Sequence, residues 1–84
     1  PGNGLTLKLD NDAHPWHSVV VVSGADQPGL LQALAAAFAR ANISVHHARI
    51  STEGGVITDR FEVSDRHGRK ITASAMSRVE SLLS

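Results

Sequence analysis

Four consecutive valines, Val19–Val22, set between Ser18 and Ser23, narrow the folds open to this chain more than any other feature. A β-branched run bounded by polar residues reads as a strand covered on both faces and central in its sheet. Gly24-Ala25-Asp26-Gln27-Pro28-Gly29 ends it. Leu30, Leu31, Leu34, Ala35, Phe38 and Ala41 then recur at helical spacing in an alanine-rich stretch. Asp26 is placed to cap that helix, and Pro28 suits its first turn, where a missing N–H costs nothing. Asn42 tolerates the left-handed conformation and is a natural stop.

The remaining elements follow from period and punctuation. Leu5, Leu7 and Leu9 alternate with Thr6 and Lys8, the pattern of a half-buried strand, and Asn11-Asp12 turns the loop that follows. Between Ile43 and Thr52 the parity breaks: Ile43 and Val45 fit one face, Ala48 and Ile50 the other. Either a bulge shifts the register there or both faces are covered. Glu53-Gly54-Gly55 reads as a hairpin turn into a strand carrying Ile57, Phe61 and Val63 on one face. Asp65-Arg66-His67-Gly68 is a second turn, and Thr72 caps a last helix with Ala75, Met76, Val79, Leu82 and Leu83 as its apolar positions. The order strand, strand, helix, strand, strand, helix is most of a βαββαβ unit without its final strand. The Leu5–Leu9 strand, antiparallel beside the valine strand, fills that place. The expected fold class is α+β: a ferredoxin-like two-layer sandwich with a four-stranded, antiparallel-containing sheet and two helices on one face. Residues 1–15 then form the extra strand and its linker, and residues 16–84 the domain proper.

Composition removes several functions. With no cysteine, zinc ribbons, thiol catalysis and a disulfide scaffold drop out. Eight basic residues balance eight acidic ones, which argues against blanket phosphate neutralisation, and no apolar stretch approaches a membrane span. Neither nucleic acid nor membrane is expected as a partner, and the expected setting is cytoplasmic. An 84-residue core leaves a narrow margin of stability, so a partner surface is expected, a homodimer or the rest of a longer chain. The opening Pro1-Gly2-Asn3-Gly4 is loose and lacks an initiator methionine, and the chain is read as a segment of something larger.

The Gly-Pro-Gly-punctuated junction is where chemistry is expected. A helix start presents unpaired N–H groups at the positive end of a dipole, suited to a carboxylate or phosphate. Gly29 allows close approach to the backbone, and Asp26 either meets a ligand ammonium or merely caps the helix. An α-amino acid fits both groups. The P-loop lysine is absent. Five histidines raise the question of a metal, but adjacent His46 and His47 should face opposite ways along a strand, and no zinc spacing is present. No metal and no cofactor is expected. No nucleophile elbow frames a serine, and three aromatic rings, Trp16, Phe38 and Phe61, are too few for a base-stacking RNA module. Catalysis within this segment is not expected.

Gly24-Ala25-Asp26-Gln27-Pro28-Gly29-Leu30-Leu31, followed by Phe38 and then Asn42-Ile43-Ser44-Val45-His46, resembles the ACT domain family of small regulatory modules. His46-His47-Ala48-Arg49-Ile50-Ser51-Thr52, the Gly-Gly turn and Asp59-Arg60-Phe61-Glu62-Val63 resemble, more narrowly, the last ACT domain of the bifunctional uridylyltransferase/uridylyl-removing enzymes. The resemblance spans roughly residues 16–84. It implies an amino-acid-sensing module, with L-glutamine as the ligand, that allosterically controls an attached enzyme acting on the nitrogen-regulatory PII protein. It implies as partners another ACT domain or a homodimer, together with the catalytic part of the parent enzyme. By the same resemblance the ligand residues are Asp26, Gln27, Pro28, Gly29 and Leu30 from the loop, and Ile43 and Ser44 from the following strand. Gly24 stands where some members carry histidine, and Ser44 where some carry asparagine. A ligand-free interaction module is the alternative.

Overall fold

The computed structural model describes residues 4–84; residues 1–3 of the loose opening expected over 1–4 lie outside them. The elements are β1 (Thr6–Asp10), β2 (Ser18–Ala25), α1 (Leu30–Arg40), β3 (Ser44–Arg49), β4 (Thr52–Glu53), β5 (Val56–Ser64) and α2 (Ala73–Leu83). The sheet runs β1-β2-β5-β3, with two-residue β4 pairing β5 beyond the end of β3. All pairings are antiparallel, so β2 and β3 share a direction with β5 between them. The expected α+β sandwich is present, and β1 lies on the far side of β2 from β5, where the missing last strand would sit.

The valine strand is central, but helices cover only one of its faces. Val20 and Val22 are fully buried with Leu34, Phe38, Ile57, Phe61, Val63, Met76 and Val79 in one core shared by both helices. The alternation of β2 turns Val19 and Val21 to the other face, where Val19 is still 5% exposed and Val21 half-buried. Val19 lines a hollow there together with Ala13 and His14 of the chain entering β2. Leu31 is 51% exposed and Ala35 is exposed too, so the buried stripe of α1 is Leu30, Leu34, Ala37 and Phe38, narrower than the apolar pattern suggested.

Helix ends obey local rules, with one departure. Asn42 takes φ 59°, its N–H donates to Ala39 O and the Ile43 N–H donates to Phe38 O, a Schellman stop that also seats Ile43 on the core. Thr72 Oγ1 accepts from Ala75 N–H at 3.1 Å and caps α2. At α1, however, the cap position is Gly29 at φ 73°, with no side-chain cap. Asp26 and Pro28 lie before the helix, so Asp26 does not cap it. The parity break in β3 is a bulge: Val45 pairs Val63, His47 pairs Glu62, and His46 is extra. Gly54 and Gly55, at φ 59° and 78°, make the tight β4–β5 turn that a primed hairpin needs.

One polar staple ties the edges of this small core together. Asn11 Nδ2 donates to Ile71 O at 3.0 Å, and Ile71 N–H donates to Ser18 Oγ at 2.8 Å. The Ser18 hydroxyl donates to Asn11 Oδ1, and Lys70 Nζ to Asn11 O. The loop between β1 and β2 is thereby fastened to the segment leading into α2.

Two expected outcomes follow. A Cβ at Gly24 (φ 148°) would lie 2.8 Å from Gly4 O and 3.1 Å from Leu5 Cδ2, so Gly24→Ala must displace β1 or strain the backbone. It should lower stability by about 1–3 kcal/mol, read as a lower urea midpoint at unchanged m. Asp65 Oδ1 accepts from Arg69 N–H at 2.9 Å and His67 N–H at 2.8 Å, and these bonds, Arg69's first, hold its carboxyl below the usual carboxylate range. Because the folded pKa is depressed, this contribution is present above the usual carboxylate pKa and lost as pH falls through the lowered value. Asp65→Asn should therefore have a lower urea midpoint than the parent at pH 7, the difference vanishing in strong acid.

Candidate functional site

Two hollows lie on opposite faces of the sheet. The larger, about 420 Å³, opens where the β2–α1 loop meets the β4–β5 hairpin. Pairing of Ala25 with Val56 and of Thr52 with Ile57 fixes that meeting, and Asp26 N–H donates to Gly55 O at 2.8 Å. The wall contributed by the loop and first helical turn is Asp26, Gln27, Gly29, Leu30, Leu31 and Gln32. Ile50, Thr52, Ile57 and Asp59 form the opposite wall.

The chemistry of this hollow is two-sided. The first turn of α1 faces it without a side-chain cap, offering backbone N–H groups and the positive end of the helix dipole. Asp26 is exposed, and its carboxylate does not cap the helix. Asp59 is 3% exposed, and its Oδ1 accepts from Ser51 N–H at 3.1 Å. Ser51 O in turn accepts from Thr58 N–H at 2.9 Å, so Asp59 holds the break between β3 and β4 against β5. Leu30, Leu31, Ile50 and Ile57 supply the apolar part.

Of the expected ligand residues, the structure brings Asp26, Gln27, Gly29 and Leu30 to this hollow, with Pro28 in the same loop but off its wall. Ile43 and Ser44 do not join them within one chain. β3 runs parallel to β2, so its first residue, Ser44, pairs Ser64 at the far end of β5 from Val56. Eight residues of strand separate the two ends, about 26 Å. Ile43 is 5% exposed and belongs to the core, while Ser44 is exposed at the sheet edge. The wall formed by Ile50, Thr52, Ile57 and Asp59 was missed in the sequence. One signal was present: Asp59 falls at the inward parity of Ile57, Phe61 and Val63, where an acid is out of place unless it bonds or binds.

The smaller hollow, about 190 Å³, lies on the helix-free face and is lined by Ala13, His14, Val19, His47, Arg49, Arg60 and Glu62. The bulge breaks the alternation expected of His46 and His47, and both lie on this side. His47 lines the hollow, and His46 stacks on His17 with centroids 4.1 Å apart. His46 Nε2 is 2.7 Å from Ser64 Oγ, at the end of the sheet remote from the β2–α1 loop. His17 Nδ1 lies 2.6 Å from Glu62 Oε2, and this bond, aided by the nearby His14, holds the Glu62 carboxyl below the usual range.

Comparison with known proteins agrees with the fold. Residues 18–83 match the model of the ACT domain. The chain is 45% identical over 66 residues, 79% of its length, to the bifunctional uridylyltransferase/uridylyl-removing enzyme of Phenylobacterium zucineum. It is 41% identical over 64 residues (76%) to the enzyme of that name from Azospirillum brasilense, and 36% over 72 residues (86%) to that of Ruegeria pomeroyi. The matched part is only 7–8% of the length of these relatives. Among the described residues no helix is long and apolar enough to cross a membrane.

Asp59→Ala would leave the Ser51 N–H without its acceptor and release the β3–β4 break. It should cost about 1–3 kcal/mol of stability and accelerate amide exchange at Ser51 and Thr58 while leaving β1 protected.

Proposed function

The chain belongs to the ACT domain family, and on that premise we propose that it is a regulatory module sensing an α-amino acid, L-glutamine, in the hollow beside the first turn of α1. The observation that carries the reading is the pairing, in one cleft, of an uncapped helix start with the free carboxylate of Asp26. The ligand carboxylate faces the helix N–H groups and its ammonium faces Asp26. Gln27, Gln32 and Thr52 are the polar groups placed to meet a side-chain amide. The domain proper begins near residue 16, with residues 1–15 supplying an added strand and linker.

The second half of the expected ligand set enters through a partner. β3 is a sheet edge, all six of its residues are exposed, and Val45 and Ile50 are 43% and 48% exposed. Such an edge is a template for another strand. If two copies pair antiparallel along β3, the start of one strand lies beside the end of the other. Ile43 and Ser44 of the second copy then approach Ile50 and Thr52 of the first, and the cleft is closed by residues that one chain holds apart.

Control of the attached enzyme works by linkage: a ligand that binds one domain arrangement more tightly shifts the balance of activities. In this reading the parent is a cytoplasmic uridylyltransferase/uridylyl-removing enzyme of nitrogen metabolism, and no residue of this module takes part in the reaction. The exposed β3 edge also favours the second reading, a ligand-free pairing module.

Calorimetry of the chain against L-glutamine, with other amino acids as controls, tests the proposal. Selective saturable binding is expected, weakened in Asp26→Ala by about 1–3 kcal/mol if the ligand ammonium is buried against Asp26. Silence across the amino acids by a folded chain would favour the pairing module. Sedimentation should show a concentration-dependent dimer in the parent chain, and Val45→Lys, a charge on the pairing edge, should shift it to monomer.

A further inference from the structure

The helix-free face carries a cluster that the sensing function does not use. His14 and His17 lie three residues apart in the segment before β2, and Glu62 lies on β5 opposite Val19. That register brings the chain entering β2 over the Glu62 carboxylate. One ligand atom from each of the three side chains lies within 4.8 Å of the others. His14 Nε2 is 3.7 Å from Glu62 Oε1, and His17 Nδ1 is 2.6 Å from Glu62 Oε2. We propose that His14, His17 and Glu62 form a binding site for a borderline first-row divalent cation, represented by Zn²⁺, on the helix-free face of the sheet.

The geometry is close to what such an ion needs. Bonds of ~2.0–2.1 Å in a tetrahedron place donor atoms about 3.4 Å apart. The His17–Glu62 separation of 2.6 Å must open by less than an ångström, and the other donor separations, all within 4.8 Å, must settle to the same distance. His14 and His17 stack at 5.0 Å and 10°, so one of these rings must turn before both nitrogens aim at one ion, and His17 and His46 stack at 4.1 Å and 11°. His46 is itself fixed, because the Ser64 hydroxyl donates to Asp65 O and so accepts from His46 Nε2. Two imidazoles and a carboxylate suit zinc, nickel or copper rather than magnesium or calcium. Three protein ligands leave open positions, and the adjoining 190 Å³ hollow has room for water or an anion there. Arg49 and Arg60 line that hollow; they oppose a bare cation and favour one carrying an anionic co-ligand.

Protons occupy the cluster in the free chain, and they identify what must move. His17 Nδ1–H donates to Glu62, so coordination through Nδ1 transfers that ring's proton to Nε2. His14 Nδ1 accepts from the N–H groups of Trp16 and His17, both at 3.1 Å, which leaves its proton on Nε2. Coordination through His14 Nε2 moves that proton to Nδ1 and releases both N–H groups, so the segment from His14 to His17 shifts as the ion binds. Trp16, the only tryptophan, has its ring 6.0 Å from that of His14 and reports the shift. The absence of a zinc spacing in the sequence does not bear on this cluster, because its third ligand is 45 residues away.

The test is titration of the untagged 84-residue chain with Zn²⁺ alone, followed by calorimetry and Trp16 fluorescence. Saturable one-to-one binding with a change in Trp16 emission is expected, with no response to Mg²⁺. Loss of groups that merely orient a ligand weakens metal sites by ~10–100-fold, so Glu62→Gln and His17→Asn should each weaken binding at least ~10-fold while circular dichroism stays unchanged. His67→Asn, in the turn after β5, should leave binding as it was. If His17→Asn does not fold, Glu62→Gln decides alone. No saturable binding by the parent chain, or equal binding by Glu62→Gln, would overturn the site and leave an adventitious ion only. Neither result depends on the amino-acid reading, whose cleft is on the other face.

Discussion

Eight consecutive register pairs join β2 to β5, from Ser18 with Val63 to Ala25 with Val56, and the rest of the molecule is arranged around that ladder. At one end it delivers the β2–α1 loop to the β4–β5 hairpin and makes the larger hollow. At the other it delivers the chain entering β2 to Glu62 and Ser64 and gathers the histidines. Both faces follow from the same pairing, since Val20 and Phe61 turn to the helices together while Val19 and Glu62 turn away. A one-residue slip would exchange those faces and expose the core.

Among the described residues the two helices share one face of the sheet. The uncovered face is managed by side chains instead. Val19 is nearly buried beside Ala13 and His14, and the His14, His17 and His46 rings stack across the end of β2, β5 and β3. The Asn11–Ser18–Ile71 staple holds the incoming loop in place, so the histidine cluster rests on an anchored segment. Among the described residues the β3 edge receives no such cover. It stays exposed along its length, which a lone small domain tolerates poorly and a paired one uses.

The larger hollow divides along the same lines. Its loop half is continuous in sequence, and its helix start is exposed because Gly29, rather than Asp26, takes the cap position. Its strand half is assembled by the hairpin, whose register sets Thr52 beside Ile57 and brings Asp59 to Ser51. Parallel β2 and β3 then put Ile43 and Ser44 at the other end of the sheet, away from this hollow within one chain.

Local physical chemistry was enough to determine most of the elements and their punctuation, the start of α1 and the break between β3 and β4 excepted. The valine run, the Asn42 stop, the Gly54-Gly55 turn, the Thr72 cap and the parity break near His46 each act over a few residues, and each is legible there. The sandwich followed, because a sheet with one apolar face and two amphipathic helices has few ways to close. The Asp26–Leu30 half of the cleft was legible for the same local reason. Only the tertiary structure decided that Asp26 stands free of the helix, that Ile50, Thr52, Ile57 and Asp59 form the second wall, that the bulge puts His46 and His47 on one side, and that Glu62 meets His14 and His17. Those outcomes depend on strand register and on contacts between residues tens of positions apart. Sequence periodicity gives which face a residue takes, but not which distant residue it will face there.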